Sequence, residues 1–292
     1  MKLLLLANPA ASGRRARRFL PTIRQLLHRQ APGFDYHEAQ DSADLHRQAE
    51  SAARAGYERV LVAGGDGTAH AAVNALRGTD AALGVLPLGH GNDLARALGV
   101  PMDARTAVEF LLRASVDSID VARVGQHAYA CVAGVGFDAA ANRRANSWGG
   151  WLTGHARYFA AAMATLATYK PIRVDLVSDS EEFSGEVMWV AVANTPNYGG
   201  GLRIAPEARL DDGVLDICII EPISPVGVLQ LYRRMRRGEH LKMPCVRYFR
   251  AARVQLRAPE GAELWGDGEL VARLPLEIRI EPASLRVIRA LA

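Results

Sequence analysis

An apolar run that leads directly into a cluster of glycines is the feature that most limits the folds open to this chain. Residues 60–63 have the aliphatic composition of a buried strand. The turn after them consists of Gly64, Gly65, Asp66, Gly67 and Thr68. Glycine permits positive φ angles and close approach of a ligand to the backbone, and the free N–H groups at a helix start bind anions. The segment therefore predicts a strand, a phosphate-binding turn and a helix in succession.

Two polar side chains in this turn suit phosphate chemistry. Asp66 can orient a Mg²⁺ ion that bridges phosphates, and Thr68 can donate its hydroxyl. The spacing matches neither the G-x-x-x-x-G-K-[ST] loop nor the G-x-G-x-x-G dinucleotide fingerprint. The alternative is a glycine-rich turn without a ligand, and the aspartate between glycines argues against it because packing alone does not require one.

A second glycine-containing turn follows the next predicted strand. It contains Gly89, His90, Asn92 and Asp93. Ligands of parallel sheets bind beyond the carboxyl ends of the strands, so turns after neighbouring strands are expected to face one crevice. One of the two residues at 92 and 93 is also expected to cap the helix that follows.

Strand and helix signals alternate through the first third of the chain. This alternation predicts a doubly wound parallel α/β sheet with helices on both faces. The expected strands are Lys2–Ala7, Phe34–Glu38, Arg59–Ala63 and Ala82–Pro87, and the expected helices are Arg14–Gln30, Ser42–Ala55, Ala69–Leu76 and Asn92–Leu98.

From about residue 120 the pattern becomes rich in strands, which predicts a C-terminal β-sandwich. Only two helices, Gly154–Tyr169 and Val226–Arg237, are expected in this part. The expected boundaries are 1–122 for the α/β domain, completed by 281–292, and 123–280 for the β-rich domain.

Composition and charge exclude several classes of protein. With 35 Lys and Arg against 31 Asp and Glu, the net charge of +4 is too small to predict a nucleic-acid binder. The three cysteines lie far apart, which indicates neither a disulfide framework nor a zinc site. No stretch reaches the roughly 18 apolar residues of a membrane span, and the N-terminal apolar run is too short for a signal peptide. A cytoplasmic protein is therefore expected.

Together the two turns resemble the catalytic domain of diacylglycerol kinases, which sphingosine kinases, ceramide kinases and bacterial soluble lipid kinases share. The same nucleotide-binding architecture occurs in NAD kinases and phosphofructokinases. The resemblance extends over nearly the whole chain because further motifs follow in the order of the family. These motifs are Asn8-Pro9 with Ser12-Gly13, Gly199–Gly201 with Ala205-Pro206, Leu210–Asp216, Arg237–His240 and Asp267–Glu269.

The resemblance implies that ATP is the phosphoryl donor and that the first domain binds it. At two nucleotide-contacting positions, His90 and Gln40 replace the hydroxyl residues that the family usually has, so the resemblance leaves nucleotide preference open. The positions that match the nucleotide contacts of the family are Asn8, Pro9, Ser12, Gly13, Gln40, Gly64, Gly65, Asp66, Gly67, Thr68, Gly89, His90, Asn92 and Asp93.

Asp267 matches the general base of the family, which takes the proton from the lipid hydroxyl. Glu269 is expected to lie close to it. A carboxylate within reach of a hydroxyl suits this role. From the residues alone, the Asp-Gly pair at 267–268 favours a hairpin turn, whereas the resemblance favours the base.

The resemblance also implies a structural Mg²⁺ site in the second domain. Asp212 would bind the ion through its carboxylate, and Arg209 and Val214 would bind it through their carbonyl groups. Asp120 matches an acidic position that is linked to this site through water. Hard cations prefer such oxygen ligands. The alternative interpretation of residues 211–213 is a plain acidic turn.

The implied reaction is transfer of the γ-phosphoryl group of ATP to a lipid hydroxyl, with diacylglycerol as the expected acceptor and phosphatidic acid as the product. Phe137, Trp148, Trp151 and Tyr158 are candidates to line the lipid site. An NAD kinase-like soluble kinase and a non-catalytic sensor of ATP or lipid are the alternatives. The expected partner is a lipid at the inner face of the membrane, contacted peripherally and without a transmembrane segment, and the protein is also compatible with a homodimer.

Overall fold

The computed structural model describes residues 2–9, 13–148, 154–259 and 261–290. The chain divides into two compact units. The first contains the residues up to Val121 together with those from Pro282 onward, and the second runs from Ala122 to Glu281. Each unit has its own sheet architecture and is described by itself.

The first unit alternates strands with helices. Its elements in chain order are β1 (Leu3–Ala7), α1 (Gly13–Gln30), β2 (Asp35–Glu38), α2 (Ser42–Arg54), β3 (Arg59–Gly64), α3 (Asp66–Leu76), β4 (Ala82–Pro87), α4 (Asp93–Ala97), α5 (Ala104–Arg113) and the beginning of β5 (Ser115–Val124).

The strands of this unit form a parallel sheet in the order β2-β1-β3-β4. Strands β1, β3 and β4 are buried almost throughout, as their aliphatic sequences require. Helix α1 packs against α5, and α2 packs against α3. The winding direction reverses beside β1, so the carboxyl ends of β1 and β3 mark the place where doubly wound sheets bind ligands.

In the first unit, helices differ from the sequence-based expectation by more than one residue at two places. Helix α3 begins at Asp66 rather than Ala69, because Gly65 adopts the extended conformation of an N-cap. Helix α5 was not expected, and it is started by Asp103, whose Oδ1 accepts the N–H groups of Arg105 and Thr106 at 3.1 Å. The glycine cluster thus spans the end of β3 at Gly64, the N-cap at Gly65 and the first turn of α3.

The second unit is rich in strands. Its elements after β5 are β6 (His127–Tyr129), β7 (Val132–Gly136), α6 (Phe137–Ser147), α7 (Gly154–Leu166), β8 (Ile172–Ser178), β9 (Glu182–Val187), β10 (Trp189–Ala193), β11 (Leu215–Ile220), α8 (Pro225–Met235), a short 3-10 helix (His240–Lys242), β12 (Val246–Ala251), β13 (Arg253–Arg257), β14 (Glu263–Gly266), β15 (Glu269–Arg273) and β16 (Leu276–Arg289), whose end belongs to the first unit.

Two antiparallel sheets enclose the core of this unit. One has the order β12-β11-β10-β7-β14-β15. In the other, β16 pairs with β13, β13 with β8 and β8 with β9, while β5 pairs with β6. Apolar side chains of both sheets meet in one buried cluster that includes Val135, Val192, Ile217, Val174, Leu256 and Ile278. The prediction of a parallel α/β domain followed by a β-sandwich is confirmed.

Helix α6 was not expected from the sequence. Its buried face is formed by Asp138, Ala139, Ala141, Asn142 and Ala145. An apolar pattern of helical period does not register a face made of alanine and polar residues, which is why the helix was missed. Within the described ranges, no helix combines the length and the apolar character that crossing a membrane requires.

Candidate active site

The turns expected to bind phosphate lie side by side at the carboxyl edge of the parallel sheet. The N–H group of Asn8, after β1, donates to the carbonyl oxygen of Ala63 at 3.1 Å. The N–H group of Leu88, after β4, donates to the carbonyl oxygen of Gly64 at 2.9 Å. These bonds extend the strand pairing to the start of each turn, and they hold the ends of β1, β3 and β4 in register.

The carboxylate of Asp66 ties the first glycine turn to the second. Its Oδ2 accepts the N–H group of Asn92 at 3.0 Å, and its Oδ1 accepts the N–H group of Asp93 at 2.8 Å. The side chain expected to orient Mg²⁺ therefore has both oxygens engaged within the protein. Its visible role is to fix the position of residues 92 and 93 relative to α3.

Asn92 closes the second turn on itself. It adopts the left-handed conformation with φ of 53°, its Oδ1 accepts the N–H group of Gly89 at 2.8 Å, and its Nδ2 donates to the carbonyl oxygen of Gly89 at 3.0 Å. Asn92 occupies the cap position before α4, but its side chain makes no capping bond to that helix. Hydrogen bonds within the turn thus define its shape.

Two glycines allow close contacts at this edge, one between the turns and one within the first turn. A Cβ atom on Gly89 would lie 2.5 Å from the Cα of Gly65, and one on Gly64 would lie 2.2 Å from the Oγ1 of Thr68. The hydroxyl of Thr68 is buried against Gly64 and has no hydrogen-bond partner among the described residues. Glycine is therefore required at position 89 by contact with backbone and at position 64 by contact with the Thr68 side chain. The Thr68 hydroxyl is enclosed rather than presented to solvent.

The remaining positions expected to contact nucleotide are spread along the same edge. Gln40 and His90 are exposed, and the N–H group of Gln40 donates to Oδ2 of Asp44 at 3.0 Å. Gly13 begins α1. Ser12 lies outside the described residues.

An Asp66→Asn variant tests the link between the turns. An amide presents one acceptor and one donor group, so one of the two backbone N–H groups at 92 and 93 would lose its acceptor. We expect a stability loss of about 1–3 kcal/mol, the usual cost of leaving a partly buried donor unsatisfied. Thermal unfolding measures it, with the exposed Asp80→Asn as a control of equal charge change. Equal melting temperatures of Asp66→Asn and Asp80→Asn would show that Asp66 does not stabilise the link between the two turns.

Asp267 lies in a two-residue hairpin turn between β14 and β15. Asp267 and Gly268 both have positive φ, 52° and 85°, and Gly266 pairs with Glu269 across the turn. This is the geometry that an Asp-Gly pair favours in a tight hairpin. The turn that the residues alone favoured is present, and it is compatible with a chemical role for the carboxylate.

The carboxylate of Asp267 is held by backbone N–H groups at the start of β7 and just before it. Its Oδ2 accepts from Ala130 at 3.0 Å, and its Oδ1 accepts from Cys131 at 3.1 Å and from Val132 at 3.3 Å. In return, the N–H group of Asp267 donates to the carbonyl oxygen of Val132 at 3.1 Å. Three converging donors fix both the position and the orientation of the carboxylate.

Asn194 supports the segment that binds Asp267. Its N–H group donates to the carbonyl oxygen of Cys131 at 2.7 Å, and its Nδ2 donates to the carbonyl oxygen of Ala130 at 3.0 Å. Burial, aided by the charge of Asp267, raises the pKa of Tyr129 well above its usual value, so its hydroxyl stays protonated and donates to the carbonyl oxygen of Val192 at 3.1 Å. Sequence reasoning missed Asn194, which no local motif identifies.

Glu269, at the start of β15, is exposed.

The residues expected to bind structural Mg²⁺ lie in the turn before β11. Oδ1 of Asp212 accepts the N–H group of Val214 at 3.4 Å, and Arg209 pairs with Asp211 at 3.5 Å. Across the described ranges, no three His, Cys, Asp or Glu side chains converge as metal ligands. A site there would rest on one carboxylate and on backbone carbonyl groups, a donor set that suits a hard cation.

Two further acidic residues have separate environments. Asp216 is buried, and its Oδ2 has no hydrogen-bond partner among the described residues. Burial raises the pKa of Asp216, and the charge of Asp212 adds to the shift, while hydrogen bonds from Tyr248 and Arg250 to its Oδ1 oppose it. Asp120, in the first unit, accepts the N–H group of Ala283 at 2.7 Å.

The second unit contains an apolar cavity of about 380 Å³. It lies among α6, α7, α8 and β10, and its walls include Phe137, Ala162, Trp189, Leu231 and Met235. Tyr158 also lines it, whereas Trp148 does not, and Trp151 lies outside the described residues. Its size is within the range of roughly 300–1,000 Å³ that is usual for small-molecule sites.

A buried polar cluster forms part of the cavity wall. Oδ1 of Asp138 accepts the hydroxyl groups of Tyr158 and Tyr198, both at 2.6 Å, and its Oδ2 accepts Nδ2 of Asn142 at 3.1 Å. Burial raises the pKa of Asp138, and these hydrogen bonds oppose the shift. No local sequence pattern indicates this cluster, because its members are up to sixty residues apart.

Both parts of the chain match models of known protein families. Residues 2–124 match the diacylglycerol kinase catalytic domain, and residues 131–289 match the YegS C-terminal NAD kinase beta sandwich-like domain. A diacylglycerol kinase of Mycobacterium tuberculosis is 34% identical over 99% of this chain and 95% of its own length. A diacylglycerol kinase of Bacillus subtilis is 29% identical over 94% of this chain and 91% of its own length.

A solved structure shares the fold. The crystal structure of a diacylglycerol kinase from Bacillus anthracis superposes with a TM-score of 0.82 over 99% of this chain and 97% of that chain, at 23% identity. The two matched domains together span nearly all residues, and a relative above 30% identity covers the full length. The chain therefore belongs to the diacylglycerol kinase family of lipid kinases.

Proposed function

We propose that this enzyme transfers the γ-phosphoryl group of ATP to the hydroxyl of diacylglycerol and so produces phosphatidic acid. The observation that carries the proposal is the carboxylate of Asp267, held by the N–H groups of residues 130–132 in a chain of this family. The relatives named diacylglycerol kinase support diacylglycerol as the acceptor.

The first unit would bind the phosphates of ATP. Its candidate contacts are the backbone N–H groups of the two glycine turns, whose shape is set by Asp66 and Asn92. Mg²⁺, when bound, would neutralise phosphate charge. For a structural Mg²⁺ ion in the second unit, the ligands would be the Asp212 carboxylate and the carbonyl groups of Arg209 and Val214. The unpartnered oxygen of buried Asp216 near Asp212 supports a cation in this region.

Asp267 would act as the general base. The acceptor hydroxyl gives its proton to the Asp267 carboxylate, and the hydroxyl oxygen forms a bond to the γ-phosphorus of ATP. The bond between that phosphorus and the bridging oxygen breaks, and ADP leaves. The three N–H donors hold the carboxylate in one orientation. They would thereby position one of its oxygens for the acceptor hydroxyl, as this reaction class needs. Glu269, two residues later, is a second candidate for contact with substrate.

The apolar cavity of the second unit would hold part of the acyl chains. Its lining is almost entirely apolar, and the polar groups of Asp138 and its partners are concentrated on one wall. Such a distribution suits a lipid, which has an apolar body and a small polar region. A soluble acceptor such as NAD would leave this apolar surface without a use.

The test is transfer of labelled γ-phosphate from ATP, with Mg²⁺, to a panel of lipids in mixed micelles. The panel contains diacylglycerol, phosphatidylglycerol, a sphingoid base and an isoprenoid alcohol, and NAD is included as a soluble acceptor. Label in diacylglycerol alone would establish the proposal. Label in another lipid would identify that lipid, instead of diacylglycerol, as the acceptor. Label in NAD would support the NAD kinase-like alternative. ATP binding without transfer to any acceptor would favour a sensor.

An Ala162→Phe variant tests the cavity as the acyl site. Ala162 is buried and lines the cavity, so the larger side chain fills space that a long chain would occupy. We expect KM for a long-chain diacylglycerol to rise roughly tenfold, which is within the effect of a few methylene contacts. A short-chain diacylglycerol is the control, and its KM is expected to change little. An equal change for both acceptors would place the acyl chains elsewhere.

The reaction would take place at the cytoplasmic face of the membrane, because ATP is in the cytoplasm and the acceptor is in a bilayer. This requires peripheral contact with lipid. A homodimer stays a prediction.

A further inference from the structure

Helix α8 exposes apolar side chains that a solvent-facing helix normally lacks. Val226, Leu229 and Tyr232 are 69%, 57% and 41% exposed. They are three of the six large apolar side chains that are exposed in the described part of the chain. The opposite side of the helix is buried through Leu231 and Met235, which line the apolar cavity. The exposed residues therefore belong to a helix that is already packed on its other face.

Arginines continue the exposed face at the end of the helix. Val226, Leu229, Arg233 and Arg236 are separated by three, four and three residues, so they lie on one face of a helix with 3.6 residues per turn. Arg234 and Arg237 flank them and are also exposed. No acidic residue occurs between Glu221 and Glu239. In the described part of the chain, these four arginines form no ion pair, so their charge is available to an external anion.

The exposed face adjoins the apolar cavity. Leu229 and Tyr232 are exposed and also line the cavity, as does Met163 of α7, which is 45% exposed. These three side chains form a rim with one side toward solvent and the other toward the cavity. A lipid tail at this rim would pass from one apolar surface to another without crossing polar residues.

We propose that α8 is the membrane-docking surface of this enzyme and that its occupant is an anionic bilayer. We define the docking surface as Val226, Leu229, Tyr232 and Met163 with the arginines at 233, 234, 236 and 237. The apolar residues enter the interface, the arginines bind lipid phosphates, and the rim admits the acyl chains of the acceptor to the cavity. The last step rests on the proposed function, whereas docking itself does not.

The charge pattern favours an anionic bilayer over a protein partner. An interfacial helix combines a basic polar part with an apolar part that sits at the level of the headgroups, and arginine can place its charge in the headgroup region while its stem lies along apolar surface. Each arginine near an anionic surface contributes roughly a fivefold gain in binding. Loss of two arginines by charge reversal is therefore expected to weaken binding by more than tenfold.

The test is co-sedimentation of the full chain with phosphatidylcholine vesicles, with and without phosphatidylserine. Wild-type protein is expected to bind the anionic vesicles and to be released by salt. Arg233→Glu with Arg236→Glu should lower this binding more than tenfold, and Val226→Asp should lower it as well. Arg105→Glu with Arg113→Glu, on the exposed side of α5, makes the same charge change and should bind as wild type does. Equal binding of the α8 and α5 variants would overturn the proposal.

Activity on a dispersed short-chain diacylglycerol separates this inference from the proposed function. None of the substituted residues lines the cavity, so the α8 variants should phosphorylate the dispersed acceptor at the wild-type rate and lose activity only on vesicles. If wild-type protein phosphorylates no diacylglycerol, the proposed acceptor is wrong, and vesicle binding still decides the docking surface. Loss of the dispersed activity in the variants, with unchanged vesicle binding, would contradict the docking role.

Discussion

Asp267→Asn is expected to lower kcat/KM for phosphoryl transfer by roughly 10²–10⁴, the usual contribution of a general base. The amide cannot accept the proton of the acceptor hydroxyl. ATP binding should be nearly unchanged, because the turns proposed to bind phosphate belong to the first unit. The measurement is initial-rate kinetics on diacylglycerol, combined with a separate titration of nucleotide binding. Asp175→Asn, an exposed substitution in the same unit, is the matched control.

The Asp267→Asn substitution also affects stability, and this effect must be measured separately from the change in rate. The three N–H groups at 130–132 converge on a carboxylate that only accepts hydrogen bonds. An amide at this place directs its own N–H₂ group at one of these donors, which costs about 1–3 kcal/mol. A melting curve of the variant therefore accompanies the rate. A folded Asp267→Asn variant with full activity would exclude Asp267 as the base. The same measurements on Glu269→Gln show whether the second carboxylate contributes to catalysis.

Gly89→Ala is expected to weaken ATP binding by more than a hundredfold. The added Cβ would lie 2.5 Å from the Cα of Gly65 and 2.8 Å from Oδ1 of Asn92. The first contact is with backbone, which cannot rotate away, and the second displaces the acceptor of the Gly89 N–H group. The two turns must separate, so the common phosphate site proposed for their N–H groups would be lost.

The predicted loss at Gly89 has a clear readout and control. Titration with a fluorescent ATP analogue measures binding, and thermal unfolding should show a loss of about 1–3 kcal/mol from overpacking. Gly227→Ala is the control, since its added Cβ would come no closer than 3.3 Å to any atom. Nucleotide binding within a factor of two of the wild type would show that the turns do not act as one site.

Much of the first unit was open to prediction because its signals are local. The apolar run before Gly64 and the glycines after it specify strand, turn and helix within ten residues. Neighbouring parallel strands then bring their turns to one edge, so the approach of Gly89 to the first turn follows from topology. The bond from the Asp93 N–H group to Asp66 does not follow, because no rule of spacing says which side chain a turn will bind.

The second unit was less predictable for the same physical reason. The partners of Asp267 lie more than 130 residues earlier in the chain, and the cluster around Asp138 joins α6, α7 and the region after β10. Apolar periodicity reports which face is buried, but not which polar groups meet inside. Helix α6 shows the limit directly, since its buried face is made in part of Asp138 and Asn142.

The position of strand β16 in the chain determines when the first unit can be completed during synthesis. Val287 pairs with Leu83 of β4, the N–H group of Gly78 donates to the carbonyl oxygen of Ser284, and the N–H group of Ala290 donates to the carbonyl oxygen of Leu98. On the ribosome, both turns proposed to bind phosphate emerge before the sandwich, whereas the strand that covers the edge of β4 is synthesised after it. The first unit can be completed only after translation of the sandwich, so a nascent chain should gain ATP affinity once residues 282–290 have emerged and not at residue 121.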